Sequence, residues 1–414
     1  MPDLTLAAVA RIQRRAVWVL SLGQVLGGIA FGATISLGAV LAAEISGDEA
    51  LSGLATAAVT LGTALIAIPL ARLARQRGRR LSLAIGMVIA LAGVMLVVFA
   101  VSVRSFPLLL LAFLLIGSGQ AANLQSRFAA TDLATSATRG RDLSIVVWAT
   151  TIGAVLGPNL TGPGEVLGAA IGMPPLTGAY LFTVGAQLLA IGLYLVFLRP
   201  DPLLTAQRVV ADRQSVDAAE AIVRPDRPTA ARFAIFAVAA AHGVMVAIMA
   251  MTPVHLLHHG ADLTIVGVTI SLHIAGMYAL APVFGVLADR VGRVTTILVG
   301  QVILAASLVT AFIGAESNFA VTVALVLLGL GWSASTVAGS TLLTETSAED
   351  MRTRRQGISD FTMSIVGAAG AISAGVILGL IGYGGLALVS GVAVIAVVVA
   401  SPLGRRGASV TTRG

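Results

Sequence analysis

The 414-residue chain contains no cysteine and no lysine, and charged residues supply only 11% of it. Without cysteine there is no disulfide, no thiolate nucleophile and no thiolate metal site. Soluble domains carry roughly 25% charged residues, so a chain that is 11% charged and 57% hydrophobic cannot clothe a water-facing surface and reads as a polytopic membrane protein. Neither a His-Glu-x-x-His zinc motif nor a Gly-x-Ser-x-Gly nucleophile elbow occurs, which speaks against a membrane-embedded enzyme.

What is present is a series of apolar runs, each long enough to cross roughly 30 Å of hydrocarbon at about 1.5 Å per residue. They lie near 16–40, 51–71, 81–103, 107–127, 143–163, 177–198, 232–254, 264–287, 294–314, 318–343, 357–381 and 384–402, with the Pro/Gly-rich 157–175 region the least regular. Twelve helices are therefore expected, six on either side of a charged break. All 26 basic residues are arginine, and all but Arg104 fall in the termini, the even-numbered turns or adjoining helix ends when both termini share one side. That bias places both termini in the cytoplasm. Glu44, Asp48, Glu49, Asp262 and Glu316 occupy the opposite turns. The net charge of +7 is thus a topology signal, and nucleic acid is excluded as a partner. The run after Arg11, Arg14 and Arg15 is too long for a signal h-region and is expected to be retained. The arginine-only, Ala/Gly/Val-rich composition points to a bacterial plasma membrane.

The chain also looks duplicated. Gly285-Val286-Leu287-Ala288-Asp289-Arg290-Val291-Gly292-Arg293 has a blurred counterpart in Ala71-Arg72-Leu73-Ala74-Arg75-Gln76-Arg77-Gly78-Arg79-Arg80, each after a run containing a proline, Pro282 or Pro69. Ile116-Gly117-Ser118-Gly119 pairs with Leu328-Gly329-Leu330-Gly331 at nearly the same offset. Two parallel repeats result, with a substrate site expected between them. The halves would be 1–198 and 232–414. The linker, 199–231, opens with Arg199-Pro200-Asp201-Pro202 and is either a solvated connector or a surface helix over its middle.

With these features the chain resembles the major facilitator superfamily over essentially its whole length, closest in motif to its twelve-helix drug/proton antiporters. The resemblance implies an all-α fold of two six-helix bundles, alternating access, and a monomer in the bilayer that exchanges protons for a small molecule without a cofactor. It also implies that Gly285 lets helices approach and that Asp289 sits against a helix start of the other half. Arg290, Gly292 and Arg293 would complete that gate. A carboxylate there is stabilised by the partial positive charge of unpaired N–H groups. In the first copy Arg75 replaces the acid and Ala71 the glycine, while Gly78 and Arg79 remain. Arg75 then either faces Asp360 in an inverted pair or faces lipid phosphates.

Gly153, Gly157 and Pro158 resemble the exporters' antiporter motif, although Thr161 stands where a glycine is expected; a small-residue packing face would also explain them. Phe113 occupies the place of the exporters' membrane arginine, and Arg127 and Asp132 lie near the helix end as gate or surface charges. Deep polar positions are few. Gln24, Gln120, Asn123, Tyr278 and Trp332 are the candidate substrate contacts. His242 and His273 are the candidate proton carriers, since histidine titrates near pH 6.5; neutral, structurally bonded histidines are the alternative. His255, His258 and His259 could suit a metal, but no second cluster marks a route, and no metal site is assigned. The expected function is proton-coupled efflux of small lipophilic molecules; the alternative is a metabolite importer or exchanger, with a metal transporter, an enzyme or a channel further off.

Overall fold

A computed structural model describes residues 6–47, 51, 53–135, 137–216, 226–261 and 263–405. Asp48, Glu49 and Asp262, and the side chains of Pro158 and His258, lie outside the described residues. The described chain is helical: α1 (Leu6–Ser46), α2 (Gly53–Arg77), α3 (Arg79–Ser102), α4 (Phe106–Ala129), α5 (Arg139–Asn159), α6 (Thr161–Ala170), α7 (Tyr180–Phe197), α8 (Pro202–Val216), α9 (Pro228–His258), α10 (Leu263–Tyr278), α11 (Ala281–Val291), α12 (Arg293–Ile313), α13 (Asn318–Thr346) and α14 (Glu349–Arg405). Nine helical stretches of the described residues are long and apolar enough to cross a membrane. The fold is that of a multi-pass, all-α membrane protein. Its helices are apolar nearly all round, because lipid satisfies the outward face and the backbone must bond to itself. Trp18, Ile313 and Phe319 accordingly stand more than 70% exposed.

The apolar runs and the helices differ at two places, and agree at the break between the last two runs. The fifth run is interrupted at Leu160, between α5 and α6, and the eighth at Ala279 and Leu280, between α10 and α11, where Pro282 in the first turn of α11 restarts a helix. The eleventh and twelfth runs lie on the single 57-residue α14, which turns at Gly382 (φ 73°). A 57-residue helix would be roughly 85 Å long if straight, far beyond one bilayer, so the break at Gly382 is required by length.

The chain forms two compact units. The first runs through Ala134 and resumes from Ile145 to the linker; the second takes Thr135–Ser144 and the chain beyond the linker. The first has two apolar clusters, one around Leu20, Leu83, Met87 and Tyr194, the other around Leu41, Val97, Phe113 and Tyr180. Within it Gly153 of α5 and Gly28 of α1 meet backbone to backbone: a Cβ on Gly153 would lie 2.3 Å from the Val25 carbonyl oxygen and 2.7 Å from the Gly28 Cα. The second unit has one cluster, in which Ile248, Leu304, Leu325 and Leu386 bring α9, α12, α13 and α14 together.

The linker's ends are tied by carboxylates. Asp201 accepts from the backbone N–H of Arg80 at 2.8 Å, and from those of Leu203 and Leu204 at 3.0 and 3.1 Å, capping the starts of α3 and α8 at once. Asp226 accepts from Arg355 at 2.5 and 2.7 Å and from the Ala348 N–H at 3.0 Å. The Arg355 guanidinium holds the Asp226 carboxyl below its ordinary pKa.

Candidate functional site

The repeated turn is built around glycines with positive φ. Gly292 (φ 99°) ends α11 and starts α12, and Gly78 (φ 86°) does the same between α2 and α3. Residues with a Cβ pay for that conformation. In the second unit Asp289, on the last turn of α11, accepts from the N–H groups of Gly140 at 3.0 Å and Arg141 at 2.9 Å, both in the first turn of α5. Those N–H groups have no partner inside their own helix. Gly285 permits the contact, since a Cβ there would lie 2.2 Å from Ser144 Oγ and 2.6 Å from the Gly140 carbonyl oxygen. Arg293 binds Asp289 at 3.0 Å and Glu345 at 2.8 Å, and donates to the Ala288 carbonyl. Glu345 also accepts from Arg139 at 3.2 Å, so one carboxylate joins α5, α12 and α13. Arg290 points outward and is exposed.

In the first unit Arg79 grips Asp132 through two bonds of 2.9 and 3.2 Å, both side chains fully buried. This two-pronged guanidinium–carboxylate geometry is the strong form of the contact. Arg75 is exposed, and its carbonyl accepts from Gln207 of α8 at 3.5 Å. Asp360, in the second unit, is fully buried.

The deep polar residues fall into two groups, one in each unit. In the first, Gln120 and Asn123 of α4, Gln187 of α7 and Gly27 of α1 line a cavity of about 10 Å³, room for one water. Gln24, Asn123 and Gln187 are all buried, and their side-chain carbonyl oxygens have no hydrogen-bond donor among the described residues. In the second, Trp332 Nε1 donates to His242 Nδ1 at 3.1 Å, which puts the neutral ring's proton on Nε2. Tyr278 packs edge-on against Trp332 at 5.8 Å between ring centres. A Cβ on Gly367 would lie 2.8 Å from the His242 ring, so α14 closes on the same group. His273 is fully buried with Nδ1 2.8 Å from the Leu325 carbonyl, leaving Nε2 without a hydrogen-bond partner among the described residues. Leu325 and Trp332 are seven residues apart on α13, so the two histidines meet that helix at levels about 10 Å apart.

His255 is held by the Ala315 carbonyl at 2.6 Å and stacks on Tyr383 at 4.2 Å, and His259 bonds to the His255 carbonyl at 2.9 Å. These are packing roles at a helix end, and no group of three possible metal ligands occurs among the described residues. Sequence reasoning passed over Glu345, Arg139, Gln187 and Asp201. Glu345 had a signal available: it follows Gly331 by nearly the interval at which Asp132 follows Gly119.

Helices long and apolar enough to cross a membrane, with buried polar side chains among them, fit a secondary transporter, and the family match makes it one. Residues 20–277 and 233–411 each match the Major Facilitator Superfamily, and the chain belongs to that family. It is 36% identical over 385 residues to the uncharacterized MFS-type transporter YdeG of Bacillus subtilis, covering 92% of this chain and 90% of the other. It is 28% identical over 371 residues to the riboflavin transporter RfnT of Brucella anthropi, covering 89% and 90%. Among solved structures it is similar in fold to the human organic anion transporter MFSD10, with a TM-score of 0.74 at 16% identity over 95% of this chain and 99% of that one. The E. coli fucose:proton symporter FucP has the fold too, with a TM-score of 0.64 at 14% identity over 94% and 97%.

Proposed function

We propose that this chain carries small, uncharged or weakly charged organic metabolites by alternating access, in import or exchange, with flat heteroaromatic compounds of the flavin kind foremost. The observation that carries the proposal is the His242–Trp332–Tyr278 cluster, an indole face edged by a phenol and tied to an imidazole. Such a surface suits a flat ring with a polar rim. The unbonded amide oxygens of Gln24, Asn123 and Gln187 supply acceptors for ring N–H and hydroxyl donors. Kinship with the riboflavin transporter supports the same class. Multidrug efflux rests on the α5 glycines alone, and Gly153 serves α1–α5 packing, which favours neither direction.

On this reading residues 1–198 and 232–414 are two six-helix bundles joined by the cytoplasmic linker 199–231. There are twelve crossings, with α5–α6 and α10–α11 one crossing each and the two arms of α14 separate. Both termini are cytoplasmic in a bacterial plasma membrane, and the carrier works as a monomer. Asp289, Arg293 and Glu345 hold a cytoplasmic gate closed, Arg75 and Asp360 form its altered counterpart, and His242 or His273 carries a coupled proton. Proteoliposomes loaded with riboflavin should take up labelled riboflavin by counterflow and should not do so for a lipophilic dication. Counterflow of the dication without that of riboflavin would overturn the substrate class.

A further inference from the structure

We infer that the flank of the second unit between α9 and α14 binds one anionic phospholipid, an acyl chain in an apolar groove and the phosphate at Arg232. The groove has a volume of about 670 Å³. Its walls mix small and large apolar side chains, with Phe236 and Gly243 on α9, Val366 and Gly370 on the first arm of α14, and Leu386 and Val389 on the second arm. Small residues on facing helices ordinarily let the backbones close up. Gly243 and Gly370 do so here, a Cβ on Gly370 falling 3.0 Å from the Gly243 carbonyl oxygen, and the groove runs beside that contact as apolar surface that apolar groups must cover.

The chemistry of the lining selects the occupant. Of the three hydroxyls in the lining, those of Thr362 and Ser373 are spent inside their own helix, on the Ile358 carbonyl at 2.8 Å and the Ala369 carbonyl at 2.7 Å, which leaves Ser390 as the third. Water would need two to four polar partners and finds few. A polar metabolite is excluded for the same reason. The groove opens outward between Phe236 and Val389, 41% and 45% exposed, on a face covered by lipid tails. Arg232, the one charged lining residue, stands exposed in the first turns of α9. From Arg232 to Ala247 the helix rises roughly 22 Å, more than the roughly 15 Å depth of one leaflet's hydrocarbon. A phospholipid with its phosphate on the guanidinium can therefore lay a whole acyl chain along the groove, and arginine is the side chain best fitted to phosphate.

The inference depends only on membrane residence and not on the proposed substrate, so its test fails or succeeds independently of riboflavin transport. The full-length protein, delipidated in detergent, is titrated with dioleoyl phosphatidylglycerol or dioleoyl phosphatidylcholine, and bound lipid is counted by native mass spectrometry. One phosphatidylglycerol should bind about fivefold more tightly than phosphatidylcholine, the factor equivalent to the ~1 kcal/mol an arginine contributes at an anionic surface. Arg232→Gln should remove that preference. Ser373→Phe, which fills the groove from α14, should lose both lipids; Ala240→Leu fills it from α9 and serves should the first variant fail to insert. Equal binding of the two lipids by the wild type, an unchanged preference in Arg232→Gln, or undiminished lipid in both filled variants would overturn the assignment.

Discussion

Replacing Asp289 by asparagine keeps the side chain's size and removes the charge that both the α5 start and Arg293 bind, and the double-mutant cycle below isolates the helix-start contact. Two backbone N–H groups reach the carboxylate, at 3.0 and 2.9 Å, and Arg293 reaches it at 3.0 Å. An amide can accept from only one of the two N–H groups, and its NH₂ then opposes the other donor. The lost hydrogen bond to a charged group is worth ~1.5 to 3 kcal/mol, and the lost charge–dipole attraction ~0.3 to 1 kcal/mol, more where partly buried. The side chain is only 8% exposed, so little of this is screened. A loss of about 2 to 3 kcal/mol lowers the population of the closed arrangement about 30- to 150-fold. The measurements are riboflavin counterflow in proteoliposomes and thermal stability, in a double-mutant cycle with Arg141→Pro. That partner removes one N–H donor in the first helical turn, where proline is tolerated. Coupling of ~1 kcal/mol or more and severely impaired transport are expected from a protein that still inserts. Transport above half the wild-type rate, or strict additivity in the cycle, would refute the reasoning.

Three further outcomes are expected. Gly153→Val should lower the melting temperature and the yield of inserted protein, because its Cβ would strike the Val25 carbonyl and Gly28 of α1; overpacking of this kind costs ~1 to 3 kcal/mol or more, and a wild-type melting temperature would count against the close approach. The Asp226 carboxyl has a depressed pKa in the folded chain, so its contribution is present above the unfolded value near ~3.9 and is lost as pH falls through the folded value. The melting-temperature gap between wild type and Asp226→Asn should hold steady from neutral pH to about 5 and close only in stronger acid; a gap closing near pH 6 to 7 would implicate a histidine instead. His242→Gln should abolish accumulation driven by a pH gradient and leave counterflow intact, and unchanged pH-driven accumulation in the double variant with His273→Gln would remove both histidines from proton coupling.

The placement of helices was legible because a membrane makes hydropathy nearly sufficient, and the interruptions were legible in part. The Ala279–Leu280 step carries no loss of hydrophobicity, so a window average passes over it, whereas the break at Leu160 lies in the Pro/Gly-rich 157–175 region and the turn at Gly382 falls between the runs 357–381 and 384–402. At the site, the motif around Asp289 pointed to a helix start, because a carboxylate on a tight turn needs donors and helix starts are where free donors occur. Glu345 could not be reached that way. It sits 52 residues beyond Arg293, and only its offset from Gly331, close to that of Asp132 from Gly119, sets it apart from other acids at helix ends.

Gly382 joins the two arms of α14 with no intervening loop, and those arms supply two of the groove's three walls. The width of that groove is consequently governed by one pair of backbone dihedrals, with no slack in which an error of angle could be absorbed. Gly382→Ala would cost about 1 to 3 kcal/mol, because its backbone (φ 73°, ψ −178°) is one essentially only glycine adopts, and splaying the arms would relieve it. A single methyl group far from Arg232 would then loosen the grip on lipid along the whole length of the helix pair.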